Sequence, residues 1–147
     1  MLWWIFVLII IFAVVSSYSA NGKKNDKKDF ETYCMVTEKI EAGEEISEKE
    51  FNDLIDACNY HKDLKPYDFE GVYILHHLKT NTYFVGKASH VPTKIKQYFE
   101  GNGNQEVYKA YKKGEFGIRL KSLENSMYSN IDELKKHYIE FYKAIDI

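Results

Sequence analysis

The pattern of apolar and polar positions divides the chain into three parts. Residues 2–20 contain no charged side chain, and residues 2–15 are an unbroken apolar run. In residues 29–66 the apolar positions recur at helical spacing, whereas residues 71–85 form two runs of β-forming residues around a polar turn. The pattern therefore predicts a hydrophobic start, a helical hairpin and a mixed α and β domain.

The hydrophobic start has about the length that crosses a bilayer, which needs ~20 apolar residues. Four lysines follow it in residues 23–28, and an excess of lysine marks the cytoplasmic side of a membrane segment. Small residues at Ser17 and Ser19 also fit a signal-peptide cleavage site. We expect residues 1–22 to be a transmembrane anchor, with residues 2–20 in the membrane and the rest cytoplasmic. The alternative is a protein secreted after signal cleavage.

Residues 29–66 are acidic, with four lysines against eleven acidic residues, and they follow a basic linker at 23–28. Ser47 and Glu50 have the spacing of a capping box, which predicts that the second helix of the hairpin begins there. Cys34 and Cys58 lie on the inner faces of the two predicted helices and are expected to pack as small apolar residues. A disulfide between them is the alternative if the chain is exported.

Residues 67–147 are predicted to form one α+β domain with the element order β, β, α, α, β, α. The two strands of the hairpin are followed by a helix that Pro92 opens and by a short helix that Gly114 closes. A third strand covers residues 116–120. Asn130 then caps a last helix whose apolar positions recur up to Ile145.

Several segments of this domain carry a resemblance to a known family. Gly-Val-Tyr at residues 71–73 is followed after ten residues by Phe-Val-Gly at 84–86, and later segments at 101–111, 116–120 and 130–134 keep the same order. Together, over about residues 67–145, they resemble the GIY-YIG nuclease domain. The resemblance implies a three-stranded antiparallel sheet flanked by helices. It also implies cleavage of DNA phosphodiester bonds with one divalent metal ion, Mg²⁺ or Mn²⁺.

The resemblance assigns candidate catalytic roles to three residues. Tyr73 matches the first signature tyrosine, which helps to orient or deprotonate the attacking water. Lys94 stands where the family has a phosphate-clamping arginine, so the charge is kept but the bidentate fork is lost. Tyr98, one helical turn later, matches a His or Tyr on the same helix face. Without the resemblance, Tyr73 reads as a packed strand residue and Lys94 as part of a solvated helix face.

Two positions depart from the family's pattern. Phe84 replaces the second signature tyrosine and can neither accept a proton nor hydrogen-bond a phosphate, a loss that commonly lowers the rate by roughly 10²- to 10³-fold. Lys135 stands where the family has its metal-binding glutamate, and an ammonium cannot supply the oxygen ligand that Mg²⁺ requires. Glu133 points to another side of the helix, but Asp132 lies on nearly the same face and is a candidate replacement ligand.

These substitutions lead to three hypotheses of function. The first is a membrane-tethered protein of GIY-YIG nuclease fold with a degenerate metal site, no bound metal and weak or lost hydrolysis. The second is an active endonuclease that binds Mg²⁺ or Mn²⁺ through a shifted carboxylate such as Asp132. The third is a non-catalytic domain that binds a protein partner through the acidic hairpin. Residues 67–147 contain twelve basic against ten acidic residues, so only weak nucleic-acid binding is expected.

Overall fold

The computed structural model of the protein describes residues 25–61 and 63–147, which form five helices and one five-stranded sheet. The helices are α1 over residues 25–41, α2 (Glu48–Tyr60), α3 (Val91–Phe99), α4 (Gln105–Tyr111) and α5 (Ile131–Tyr142). The strands are β1 (Ile46–Ser47), β2 (Gly71–His77), β3 (Thr82–Ala88), β4 (Phe116–Ser122) and β5 (Ile145–Asp146). The predicted α+β class is confirmed.

Strand β2 is the centre of the sheet, whose order is β1-β4-β2-β3-β5. It runs antiparallel to both long neighbours, and Tyr73 pairs with Gly86 on β3 and with Leu120 on β4. Its residues are buried on both faces, which explains why Val-Tyr-Ile-Leu reads as a continuous apolar run rather than as an alternation.

The two faces of the sheet pack against different helices. Tyr73 and Leu75 lie in a large core together with residues of α1, α2, α3 and α4. Val72 and Ile74, which alternate with them along β2, lie in a second core with Leu134 of α5. A residue of α5 is therefore separated from the Tyr73 face by the thickness of the sheet.

The sheet has five strands rather than the three that the resemblance implied. The extra strands, β1 and β5, have two residues each and pair with the outer edges of β4 and β3. Two residues are too few to produce an alternating pattern, so periodicity does not reveal them. The parallel pairing of β5 with β3 also makes the sheet mixed rather than wholly antiparallel.

Helix α5 ends earlier than its apolar spacing predicts. The helix stops at Tyr142, and Lys143 adopts a left-handed conformation with φ 49°. The N–H of Ala144 then donates to the carbonyl of Ile139, which closes the helix end. Ile145 consequently belongs to β5 and not to the helix. The usual glycine at the left-handed position is absent, so the sequence carries no stop signal there.

The prediction of a single-pass membrane protein is not supported by the part of the chain that the structure describes. Among the described helices, none combines the length and the apolar character that crossing a bilayer requires. Their charged side chains share each helix with the apolar residues that pack on the sheet, as in α2, where Glu48 and Glu50 precede the buried Phe51. Residues 1–24, which include the hydrophobic segment and the first two residues of the basic linker, lie outside the described residues.

The capping box predicted at the start of α2 is confirmed. The N–H of Glu50 donates to Ser47 Oγ at 3.1 Å, and the N–H of Ser47 donates to Glu50 Oε2 at 2.8 Å. The same Glu50 carboxylate pairs with Lys39 of α1, so the cap also joins the two helices of the hairpin. Cys34 and Cys58 are free cysteines, and Cys58 packs in the core as expected.

Removing the cap should destabilise the protein measurably. Ser47→Ala leaves the N–H of Glu50 without its side-chain acceptor, and we expect the free energy of unfolding to fall by about 1 kcal/mol. Urea denaturation followed by far-UV circular dichroism measures it. Ser129→Ala, in an exposed loop, is the control and should change stability by less than about 0.5 kcal/mol. Equal effects of the two substitutions would show that the cap contributes nothing.

Candidate functional site

Tyr73, the candidate that orients water, is completely buried. Its hydroxyl donates to the Tyr98 hydroxyl at 2.9 Å, and the two rings meet edge to face with centroids 5.9 Å apart. The tyrosine lies across Gly86, where a Cβ atom would be only 2.2 Å from its hydroxyl oxygen. The glycine of the Phe-Val-Gly segment is thus required by the close approach of Tyr73.

The chemistry available to Tyr73 follows from this environment. Burial, and secondarily the hydrogen bond to Tyr98, raises the pKa of Tyr73 far above its ordinary value. At neutral pH its hydroxyl is therefore protonated and already engaged. A general base must be able to reach the proton that it removes, and this group is closed off from solvent.

Helix α3 brings the other two candidate catalytic residues to Tyr73. Tyr98 is buried, and the Lys94 ammonium lies 5.2 Å from the centre of its ring. Gly103 leaves room for the Tyr98 ring, because a Cβ atom at position 103 would be only 2.4 Å from the ring. The structure therefore clusters Tyr73, Tyr98 and Lys94, with only the lysine partly open to solvent.

Phe84, at the substituted second tyrosine position, is a core residue. It is buried on the same sheet face as Tyr73 and packs edge to face on Phe116, with ring centroids 6.0 Å apart. Its position offers neither a polar atom nor an opening to solvent. The ring contributes to the main core, as an aromatic side chain in such a place normally does.

The residue of α5 at the family's metal-binding position, and its candidate replacement, are paired with other parts of the protein. Lys135 pairs with Asp146 of β5 and donates to the main-chain carbonyl of Ile147 at 3.1 Å. Asp132 pairs with Lys87 of β3, whose side chain lies on the face of the sheet opposite to Gly86 and Tyr73. The candidate replacement carboxylate is therefore on the other side of the sheet from Tyr73.

No metal-binding group of carboxylates and imidazoles forms elsewhere in the described chain. Within residues 25–61 and 63–147, no three His, Cys, Asp or Glu side chains are gathered so that they could hold an ion. His76 and His77, adjacent on β2, point to opposite faces, as strand geometry predicts. His76 bonds Glu45 and Asn81, while His77 is buried and bonds Thr80.

Comparisons with protein family models, with characterised proteins and with solved structures find no match to this chain. They neither support nor oppose the resemblance to the GIY-YIG domain.

Two features of the site could not be predicted from the sequence. The hydrogen bond between Tyr73 and Tyr98 joins residues 25 positions apart, and only the glycines at 86 and 103 hint at the close packing around both rings. The contact of Lys135 with the last residues depends on the early end of α5. The sequence does identify the three residues that cluster, but not that two of them are buried.

The hydrogen bond between the two buried tyrosines should appear as an energetic coupling. Tyr73→Phe or Tyr98→Phe alone leaves one buried hydroxyl without its partner, so each should lower the free energy of unfolding by about 1–3 kcal/mol. In the double variant no orphaned hydroxyl remains, so its loss should be smaller than the sum of the single losses. Chemical denaturation of all four proteins completes the cycle, and strict additivity would contradict the structure.

Lys135 should stabilise the pairing of strand β5 with the sheet. Lys135→Met keeps the apolar stem but removes the contacts to Asp146 and Ile147, and we expect a loss of stability of about 1 kcal/mol. The Ile147 N–H, which donates to Val85, should then exchange faster with solvent in hydrogen-exchange experiments. Lys136→Met is the control, because the exposed Lys136 pairs with Glu140 within α5. Unchanged exchange at Ile147 would refute this role.

Proposed function

We propose that residues 67–145 are a GIY-YIG-like domain that has lost phosphodiester hydrolysis and acts by binding a macromolecular partner. The proposal is supported by the arrangement of the three long strands, β4-β2-β3, all antiparallel with β2 at the centre. The helix pair between β3 and β4, and the helix after β4, agree with the family's element order. A shared fold does not imply a shared activity, so hydrolysis has to be judged at the site itself.

The observation that carries the loss of hydrolysis is the burial of the Tyr73 hydroxyl. In the family this hydroxyl must reach a water molecule or a phosphate. In this chain it has no solvent-accessible surface and donates its proton to Tyr98. Freeing it would leave the Tyr98 hydroxyl unsatisfied and open the core, at a free-energy cost of at least one buried hydrogen bond.

The substitution at Lys135 supports the same conclusion independently. A metal-binding carboxylate at this position would lose the ion pair with Asp146 and the hydrogen bond to Ile147. The lysine therefore stabilises the end of the chain at a position where the family binds its ion. A role of Asp132 as the metal ligand is disfavoured, because its carboxylate is already paired with Lys87.

The charge of the surface favours a basic protein partner over nucleic acid. Residues 29–66 contain four lysines against eleven acidic residues. A groove of about 700 Å³ between the start of α2 and the start of β4 is lined by five acidic side chains and one lysine: Glu45, Glu48, Glu50, Asp53, Glu115 and Lys49. DNA affinity rises with the number of phosphates that the protein neutralises, and this surface would repel them.

A nicking assay tests the proposal. The full-length protein is incubated with supercoiled plasmid in the presence of Mg²⁺ or Mn²⁺, and we expect no nicked product above the level of Tyr73→Phe. Lys135→Glu restores the carboxylate of the family pattern, but it should not create activity because Tyr73 stays buried.

The outcome that would overturn the proposal is metal-dependent nicking by the unaltered chain that Tyr73→Phe abolishes. That result would favour the active endonuclease, and Asp132→Asn would then show whether the shifted carboxylate holds the ion. Fluorescence anisotropy with a short labelled DNA duplex tests the partner class. Weak binding that disappears as salt is raised is expected, and tight binding would favour nucleic acid instead.

A further inference from the structure

A second pocket lies next to Lys121 of β4. It has a volume of about 400 Å³, within the range of small-molecule sites. Apolar and aromatic side chains from α1, the segment before β2, strand β4 and α5 form much of its wall: Ile40, Tyr67, Phe69, Leu120, Leu134 and Tyr138. We call it the Lys121 pocket. It lies apart from Tyr73, Tyr98 and Lys94, none of which lines it.

The pocket contains one ammonium group that has no counter-charge. Among the residues that the structure describes, no carboxylate lies within salt-bridge distance of Lys121 Nζ. The ammonium lies 5.8 Å from the centre of the Tyr138 ring instead. The turn after α1 passes close above it, since a Cβ atom at Gly43 would be 3.0 Å from Nζ.

The groups around Lys121 do not neutralise it. Arg119, two residues earlier on the same face of β4, is a second cation and is held by the Gly43 carbonyl and by Glu45. Burial, and secondarily the charge of Arg119, lowers the pKa of Lys121. Of the acidic residues at the pocket, Asp68 pairs with His90, and Glu41 and Glu124 are exposed at its rim. A partly buried, unpaired ammonium is unfavourable, and an anion placed beside it would relieve that cost.

The edge of β4 next to the pocket is open to a ligand as well. One edge of β4 pairs with β2 along its whole length, but on the outer edge β1 pairs only with Gly117 and Ile118. Within the described chain, no strand covers that outer edge from Arg119 to Ser122. The pocket also contains the side chains of Ser122 and Asn125, which offer hydroxyl and amide groups. Burial raises the pKa of Tyr67 to about 12 and that of Tyr138 above its ordinary value, so both phenols stay protonated at neutral pH.

We propose that the Lys121 pocket binds a small molecule that carries a carboxylate or phosphate group on an apolar or aromatic body. The anionic group pairs with the Lys121 ammonium, and the body packs between Tyr138 and the aromatic side chains of Tyr67 and Phe69. This site is independent of the proposed loss of hydrolysis, because none of its residues belongs to the Tyr73 cluster.

Binding of naphthalene derivatives to the full-length protein tests the site. Naphthoate and naphthyl phosphate supply the two anionic groups on one aromatic body, and naphthamide is the uncharged control. We expect at least one of the two anions to bind and to shift the amide resonances of Ser122 and Tyr138 in NMR spectra. Naphthamide should bind about ten-fold more weakly or worse, because it cannot pair with the ammonium.

A substitution pair isolates the contribution of the lysine. Lys121→Met removes the charge with little change in length and should weaken binding of the anion about ten-fold or more. Lys112→Met is the matched control, because the exposed Lys112 also lies over a tyrosine ring, 5.4 Å from the centre of Tyr108, but outside the pocket. It should bind like the unaltered protein.

The proposal is overturned if neither anion binds at these residues, if naphthamide binds as tightly as the anions, or if Lys121→Met keeps the full affinity. The comparison of naphthoate with naphthamide uses the unaltered protein, so it decides the question even if Lys121→Met fails to fold. Which anion binds more tightly then identifies the ligand as a carboxylate or a phosphate compound.

Discussion

A buried phenol must keep its hydrogen bond, and much of this structure depends on how Tyr73 does so. Its hydroxyl is on the central strand, has no access to water and finds its acceptor on α3. This hydrogen bond fixes the position of α3 over the sheet. It also requires glycine at 86, beneath the tyrosine ring, and at 103, beside Tyr98. An unmade hydrogen bond in such a place costs more than a made one contributes, so losing either hydroxyl alone should destabilise the protein.

The sheet separates the groups that a metal-dependent hydrolase would need to combine. Tyr73, Tyr98 and Lys94 lie on the face covered by α1 to α4, whereas Asp132 and Lys135 lie on the α5 side. Tyr73 and Tyr98 bond each other on one side, and Asp132 and Lys135 form ion pairs on the other, so these four groups are already engaged within the protein. The group that is free to bind a ligand lies at the edge of β4, where the Lys121 ammonium has an aromatic neighbour and, within the described chain, no carboxylate partner.

The parts of the fold that depend on local chemistry can be predicted from the sequence. The cap at Ser47 and Glu50, the hairpin of β2 and β3 and the class of the fold all follow from short patterns. What cannot be predicted depends on pairing between distant residues. The two-residue strands are too short to show a period. The end of α5 lacks the glycine that would have predicted it. The walls of the Lys121 pocket come from four separate parts of the chain. Burial of Tyr73 belongs to the same class, because its acceptor lies on another element.

The left-handed turn at Lys143 has a consequence for how the molecule behaves in a crowded solution. By sending the chain back beside β3, it covers part of an edge that would otherwise present unsatisfied amide and carbonyl groups to passing polypeptides. A strand of two residues is a poor template for pairing with a further strand. Strand β1 covers part of the outer edge of β4 in the same way. The ladder of main-chain hydrogen bonds is thereby closed to other chains at Phe84 and Val85 on one edge and at Gly117 and Ile118 on the other, which shortens the stretch along which a fibril could grow.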